Sequence, residues 1–341
     1  MRLFNRAPNR EREGPTEGRG RGEATVVLRA RLKRVDWRNY VVYLGFIAIL
    51  LFFAIAVGGR GFLSTTNLMN IVRQTAPVSV MAVGMAFALS AGEIDLSIGS
   101  VVALSALVTA ILLRDANMAV AILAGLGVGL VVGLFNGLVT VKVRIPSFLV
   151  TLGTLSIVAG LARTITDLQA VPILNQTFNG VFGSASLGPV PVLLVWTAGA
   201  MVVGHAVYRH TRLGRHILAT GGNRSAADSV GIRTDRIKVA VLVISAMTAS
   251  LAGMLYAGRL HGARYTLGEA DLLTVIAAVV IGGTSLFGGK GSVIGAVVGS
   301  IIMGMVNNGL ILMGLQVSEQ MLARGIIIIL AVALSLREAR E

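Results

Sequence analysis

Residues 92–96 read GEIDL and residues 268–272 read GEADL, one acidic pentapeptide repeated at an offset of 176. Each copy lies beside a long apolar run, where an ionised carboxylate is costly. A proton relay, a metal site and an architectural duplication would each account for the pair, and each implies a different function. The sequence around the two copies is what separates them.

The chain is 55% hydrophobic and only 13% charged, with a mean hydropathy of +0.80. Soluble domains average about 25% charged residues. A water-soluble fold of 341 residues cannot hide that much apolar surface, so lipid is the solvent for most of this chain. The 42 glycines suit close helix–helix approach in a bilayer. Cysteine is absent, which excludes disulfide frameworks, thiolate metal sites and cysteine nucleophiles.

Roughly 20 apolar residues cross the hydrocarbon core as a helix. On that measure the sequence predicts ten spans: 40–57, 72–90, 97–113, 118–139, 147–164, 190–208, 238–257, 272–287, 292–313 and 321–336. The first 38 residues carry eleven Lys/Arg and no apolar run. They read as a solvated, disordered basic tail, without the aromatic interleaving of a nucleic-acid arm, that keeps the N-terminus in the cytoplasm near anionic lipid. With ten spans the C-terminus is cytoplasmic too. The inner segments then hold 23 of the 30 Lys/Arg, counting Lys238 at the membrane edge. The other seven, Arg60, Arg73, Arg114, Arg163, Arg259, Arg264 and Arg324, fall near outer ends, as positive-inside asymmetry requires.

Five predicted spans separate GEIDL from GEADL, and an odd number places the copies on opposite sides. A second pair, FNGL at 135–138 and NNGL at 307–310, relates Asn136 to Asn308 at an offset of 172. The fold class is therefore all-α and integral to the membrane: about ten transmembrane helices in two inverted-topology halves of five. Transporters recurrently use that plan. Glu93, Asp95, Glu269 and Asp271 fall at predicted span ends, where capping of helix N-termini and gating suit them better than a proton relay. Asn136, Asn307 and Asn308 sit in or beside apolar helices and need partners, because an unsatisfied amide in lipid is costly. Interhelical hydrogen bonds are the first reading, and a place on a translocation pathway is the second. Gly125, Gly129 and Gly133 form a smooth helix stripe, as do Gly291, Gly295 and Gly299.

The longest inner loop after the tail, 209–237, is too long for a mere connector. Ser225 stands before Ala226 and Ala227 as a helix N-cap would, Asp228 resembles a capping-box acid, and Gly231 ends the segment. The expected form is a short surface helix lying along the membrane, shaped to dock into a partner. No ATP-binding loop accompanies it. GGTSLFGGKGS (282–292) lacks the first glycine and the hydroxyl residue of G-x-x-x-x-G-K-[ST], so it reads as a tight turn. His205, His210, His216 and His261 lack zinc-type spacing, and no Ser/His/Asp arrangement is recognisable. Neither catalysis nor a bound cofactor is expected, and the driving force comes from a partner chain or an ion gradient.

GMAFALSAGEIDLSIGSVVAL (84–104), NGLVTVKVRIPSFLVTLGTLSIVAGLA (136–162), GRHILATGGNRSAADSVGIRTDRIKV (214–239) and GGTSLFGGKGSVIGAVVG (282–299) resemble, in order, the ribose, xylose and arabinose class of ABC-importer permeases. The resemblance runs from about residue 40 to 336 and leaves out the basic tail. It implies a permease domain over 39–337 and a second permease copy in the bacterial inner membrane. It also implies a periplasmic sugar-binding protein and a separate ATPase subunit, usually two fused nucleotide-binding domains. The family's coupling segment reads Glu-Ala-Ala, three residues, then Gly. Ala226, Ala227 and Gly231 fit that spacing, Ser225 replaces the Glu, and Gly222 and Asn223 precede it. An ion-coupled secondary transporter of a small polar solute is the alternative, and it needs a titratable or cation-binding site near mid-membrane.

Overall fold

A computed structural model describes residues 41–338, and the basic segment 1–38 lies outside them. Each of the ten predicted spans falls on a helix. They are α1 (Val41–Ala56), α2 (Thr65–Ser90), α3 (Ile98–Asp115), α4 (Met118–Lys142), α5 (Ser147–Thr164), α6 (Val192–His210), α9 (Thr234–Leu260), α10 (Asp271–Ile281), α11 (Val293–Leu312) and α12 (Val317–Glu338). Between α6 and α9 lie two further helices, α7 (Arg212–Gly222) and α8 (Arg224–Ser229). Helices α2 to α6, α9 and α11 are long and apolar enough to cross a membrane, so the architecture is multi-pass and mostly helical.

Local chemistry sets the ends. Ser64, Asn117 and Ser292 cap α2, α4 and α11 by accepting the Asn67, Ala119 and Gly295 amides at 3.2, 2.6 and 3.0 Å. Ser64 lets α2 start at Thr65, seven residues before the predicted 72. Helix α10 stops at Ile281 rather than at 287, because Gly283 turns left-handed with φ +86°. There the Gly283 amide donates to Val280 O (2.9 Å) and the Thr284 amide to Val279 O (3.1 Å), the bond pair that closes a helix at a C-terminal glycine.

Helices α2 and α9 run through the interior. α2 is buried over most of its length, whereas α4 and α6 expose one side. The main core gathers Met81, Met85, Ile98, Leu107, Phe178, Leu193 and Met254. The glycine stripes make this packing possible. A Cβ on Gly129 would stand 2.5 Å from Ala246 O, and one on Gly133 2.6 Å from Val243 Cα, so α4 lies flush on α9. Gly295 and Gly299 meet the Gly282 and Ala278 carbonyls in the same way, seating α11 on α10.

Two interfaces repeat each other. Gly129 packs on Ser250 and Gly133 on Ala246 across α4 and α9. Ser79 bonds Ser300 at 2.6 Å, and Thr75 packs on Gly304, across α2 and α11. Adding 171 to Gly129 and Gly133 gives Ser300 and Gly304; subtracting 171 from Ser250 and Ala246 gives Ser79 and Thr75.

Two short antiparallel ladders, Val171–Pro172 with Gly262–Ala263 and Ser186–Leu187 with Val190–Pro191, tie down the loops after α5 and α9.

Candidate functional site

The 209–237 loop folds as two helices where one short surface helix was expected. Helix α6 continues to His210, the Thr211 hydroxyl caps α7, and Asn223 both closes α7 and opens α8. The cap of α8 is Asn223, not Ser225: its side-chain oxygen accepts the Ala226 amide at 3.0 Å. Asp228 forms no capping box either, because its carboxylate accepts the Thr234 hydroxyl at 2.7 Å. Gly231 does end α8. It holds φ +84°, and the Ile232 amide reaches Ala227 O at 3.1 Å. Gly222, Asn223, Ala226 and Gly231 are exposed, while Ala227 is buried.

This segment is fixed to the bundle at both ends. Arg224 bonds Asp235 at 2.7 Å, holding α8 against the start of α9. Gly221 packs against Ser90 O and Gly289, where any Cβ would collide. The 282–291 turn therefore joins the same junction, and the Gly289 amide donates to Ser90 O at 3.0 Å. The tight turn expected of GGTSLFGGKGS is thus a bearing surface, with Gly283, Gly288 and Gly289 all at positive φ.

The first pentapeptide leaves that junction. Gly92 closes α2, and residues 93–96 continue without regular secondary structure, as a strap, to Ser97 at the start of α3. Glu93, 4% exposed in its side chain, pairs with Lys238 at 2.5 Å, one turn above Asp235 on α9. Asp95 is fully buried and accepts the Ser97 amide (3.0 Å) and hydroxyl (2.6 Å), so it orders the start of α3. Burial pushes its carboxyl above the ordinary carboxylate range, against the Ser97 and Ser245 hydroxyls that favour the charged form. Asn136 donates to Ser97 Oγ at 3.0 Å, the interhelical partner its position demanded. A cleft of about 620 Å³ opens beside the strap, bordered by Glu93, Arg144, Arg224 and Lys238.

The second pentapeptide lies elsewhere. Helix α10 has 11 residues and so reaches about 16 Å, half of a ~30 Å hydrocarbon core. Its far end meets the 282–291 turn, and Asp271 is its first residue, at a helix end as the sequence predicts. Asp271 accepts the Tyr256 hydroxyl at 2.6 Å. Glu269 pairs with Arg163 at 2.6 Å, both about 40% exposed (41% and 39%). Asn308 and Asn67 exchange bonds at 2.9 and 3.0 Å, tying α11 to the start of α2.

Asp271 borders a cavity of about 230 Å³ with Gln74, Tyr256, Thr274, Asn307 and Arg324. Arg259 also lines it, for a structural reason. Pro77 inside α2 has no amide to give the Arg73 carbonyl, and the Arg259 guanidinium bonds that carbonyl at 2.9 Å instead. Of this group Asp271 and Asn307 stood out in the sequence. Gln74 and Thr274 lie on separate apolar helices and share no sequence signal with Asp271 or Asn307. Among the described residues, no group of three or more His, Asp or Glu could hold a metal ion.

Residues 67–332 match the family described as the permease component of the branched-chain amino acid transport system. The ribose import permease protein RbsC of Bacillus subtilis (strain 168) is 35% identical over 319 residues, covering 92% of this chain and 99% of that protein. RbsC of Escherichia coli (strain K12) is 37% identical over 294 residues, covering 84% and 91%. The D-allose transport system permease protein AlsC of Escherichia coli (strain K12) is 34% identical over 301 residues, covering 87% and 91%. No solved structure matches the chain.

Proposed function

The chain belongs to the family of permease components of the branched-chain amino acid transport system type, and from that premise we propose that it is the membrane subunit of an ATP-driven importer of a monosaccharide. One observation carries the reading: ribose and allose permeases align with 84 to 92% of the chain, across the α7–α8 segment as well as the spans. The cargo is a pentose such as ribose, xylose or arabinose, or a related small polyol, moved across the bacterial inner membrane by alternating access. Two copies of the permease work with a separate ATPase, two nucleotide-binding domains in one chain, and with a periplasmic sugar-binding protein. Both termini lie on the ATPase side, and lipid surrounds the exposed faces of α4 and α6.

The paired interfaces related by 171 residues support two halves in inverted topology. In this reading α8 is the coupling helix, with Gly222, Asn223, Ala226 and Gly231 against the ATPase and Ala227 packed inward. Motion imposed there passes through Arg224–Asp235 to α9 and from Lys238 to Glu93, so the coupling segment pulls the strap before α3. Glu93–Lys238 and Glu269–Arg163 act as ties at successive depths of the pathway. Asp95, Asn136 and Asn308 hold the helices those ties move, and Asp271 meets the cargo.

Proteoliposomes holding the permease, its ATPase and the binding protein test this. ATP with D-ribose, D-xylose, L-arabinose or D-allose should give uptake that stops when the ATPase is omitted. Accumulation by the permease alone on a proton or sodium gradient would overturn the reading in favour of ion coupling.

A further inference from the structure

Phe287, on the 282–291 turn, is 68% exposed, while Leu286 beside it packs on the main core. Aromatic side chains presented in this way are the usual anchors of protein interfaces. The turn that carries the ring is rigid. The Ser285 amide donates to Lys290 O at 3.1 Å, the Phe287 amide donates to Ser285 Oγ at 3.2 Å, and Gly288 and Gly289 hold φ +87° and +78°. A partner that closes on the ring therefore has little left to order.

The turn also continues the surface of α8. A Cβ on Gly288 would stand 2.8 Å from Gly221 Cα, and one on Gly289 2.9 Å from Gly222 Cα, so the turn lies in backbone contact with the residues just before α8. At the other end of α8, Val230 is 76% exposed. The exposed residues that accompany these two apolar side chains, Asn223, Arg224, Asp228 and Lys290, are polar or charged. Apolar anchors in a polar rim make a protein interface, whereas a side turned to lipid is apolar throughout.

Resting on the importer reading, in which α8 meets the ATPase, we propose that the 282–291 turn is a second docking element for that subunit, with Phe287 as its apolar anchor. The two elements grip different helices. Arg224–Asp235 ties α8 to the start of α9, whereas the turn bonds Ser90 O at the end of α2. Phe287 O also lies against Gly92, where the strap begins. The ATPase thereby holds both helices that run through the interior.

Thiol labelling in lipid nanodiscs tests this, since the chain has no cysteine of its own. Phe287→Cys, Val230→Cys and Leu174→Cys each give one exposed thiol for a charged, lipid-insoluble maleimide. Leu174 lies beside the 171–172 ladder, about 40 Å away along the 27-residue α9. Without ATPase all three should label at similar rates. With ATPase at about ten times each variant's own Kd, labelling at 287 and 230 should slow about tenfold and labelling at 174 should not change. Protection at 230 alone would overturn the second docking element and leave the coupling helix standing. Protection at neither would overturn the coupling reading, and this proposal with it. Slow labelling at 287 before any ATPase is added would put the ring in lipid and overturn the proposal. Phe287→Ala should raise the Kd for the ATPase about tenfold or more, with the unfolding midpoint unchanged because the side chain is exposed. An unchanged Kd would deny the ring its role as anchor.

Discussion

Gly92 and Gly268 open two copies of one pentapeptide, and both hold a left-handed φ, +78° and +80°. They do different work. Gly92 closes α2 by the ordinary C-terminal bond pair, and a Cβ there would make only ordinary contact, 3.7 Å from Phe287 O. Gly268 lies eight residues beyond the end of α9 and fits against Gly99 at the start of α3, where a Cβ would stand 2.7 Å from Gly99 O. The glutamates differ likewise, for Glu93 is sealed against Lys238 and Glu269 is half open beside Arg163. Duplication kept the letters, and packing reassigned the roles.

The ion pairs give the largest contrast. Lys238→Met strands a buried carboxylate, a change that costs about 3–5 kcal/mol. Arg163→Met removes a pair that is about 40% exposed, of the kind worth below about 1 kcal/mol. Thermal unfolding in detergent should separate the two variants clearly, and Glu93→Gln added to Lys238→Met should restore much of the loss. Equal melting of the single variants would mean that the two copies are electrostatically alike and that Glu93 is no tie between the strap and α9.

The glycines give the next contrast. Alanine at either position meets the left-handed penalty of about 1–2 kcal/mol. Only at 268 does it also collide with Gly99 O and Val102, and overpacking adds about 1–3 kcal/mol. Gly268→Ala should therefore lower the unfolding midpoint about twice as far as Gly92→Ala. Similar midpoints would place the second copy in a looser setting than its contacts with α3 require.

Much of this was legible before any coordinates. Hydropathy located ten helices, seven of them long and apolar enough to cross a membrane, and the cost of a bare amide in lipid predicted partners for Asn136 and Asn308. Gly231 announced itself because few other residues take its φ. What stayed hidden depended on competition or on tertiary crossing. Asn223 outcompeted Ser225 as a cap because α7 ends at Gly222, which placed the chain reversal at 223. The early stop of α10 turns on which of two adjacent glycines goes left-handed. The cavity as a whole has no sequence signature, although Asp271 and Asn307 stood out singly. Gln74, Thr274, Asn307 and Arg324 occupy four helices with no common spacing.

The smallest contrast lies in what holds each strap. In the first copy α5 supplies side chains for the backbone: Ser147 Oγ accepts the Ile94 amide at 3.1 Å, and Thr151 Oγ1 accepts the Leu96 amide at 3.0 Å while donating to Ile94 O at 3.1 Å. The approach to the second copy is held instead by the backbone ladder between 171–172 and 262–263. Thr151→Val keeps the shape and removes both side-chain bonds, leaving a backbone amide and carbonyl to find other partners. The global cost should be modest, about 1–2 kcal/mol, but it should be local. Hydrogen exchange should quicken at the amides of 94–97 and stay unchanged at 268–272. Acceleration at both copies would mean that the straps move as one unit, and the division of labour between Gly92 and Gly268 would then describe packing alone, not the way the two ends of the pathway open.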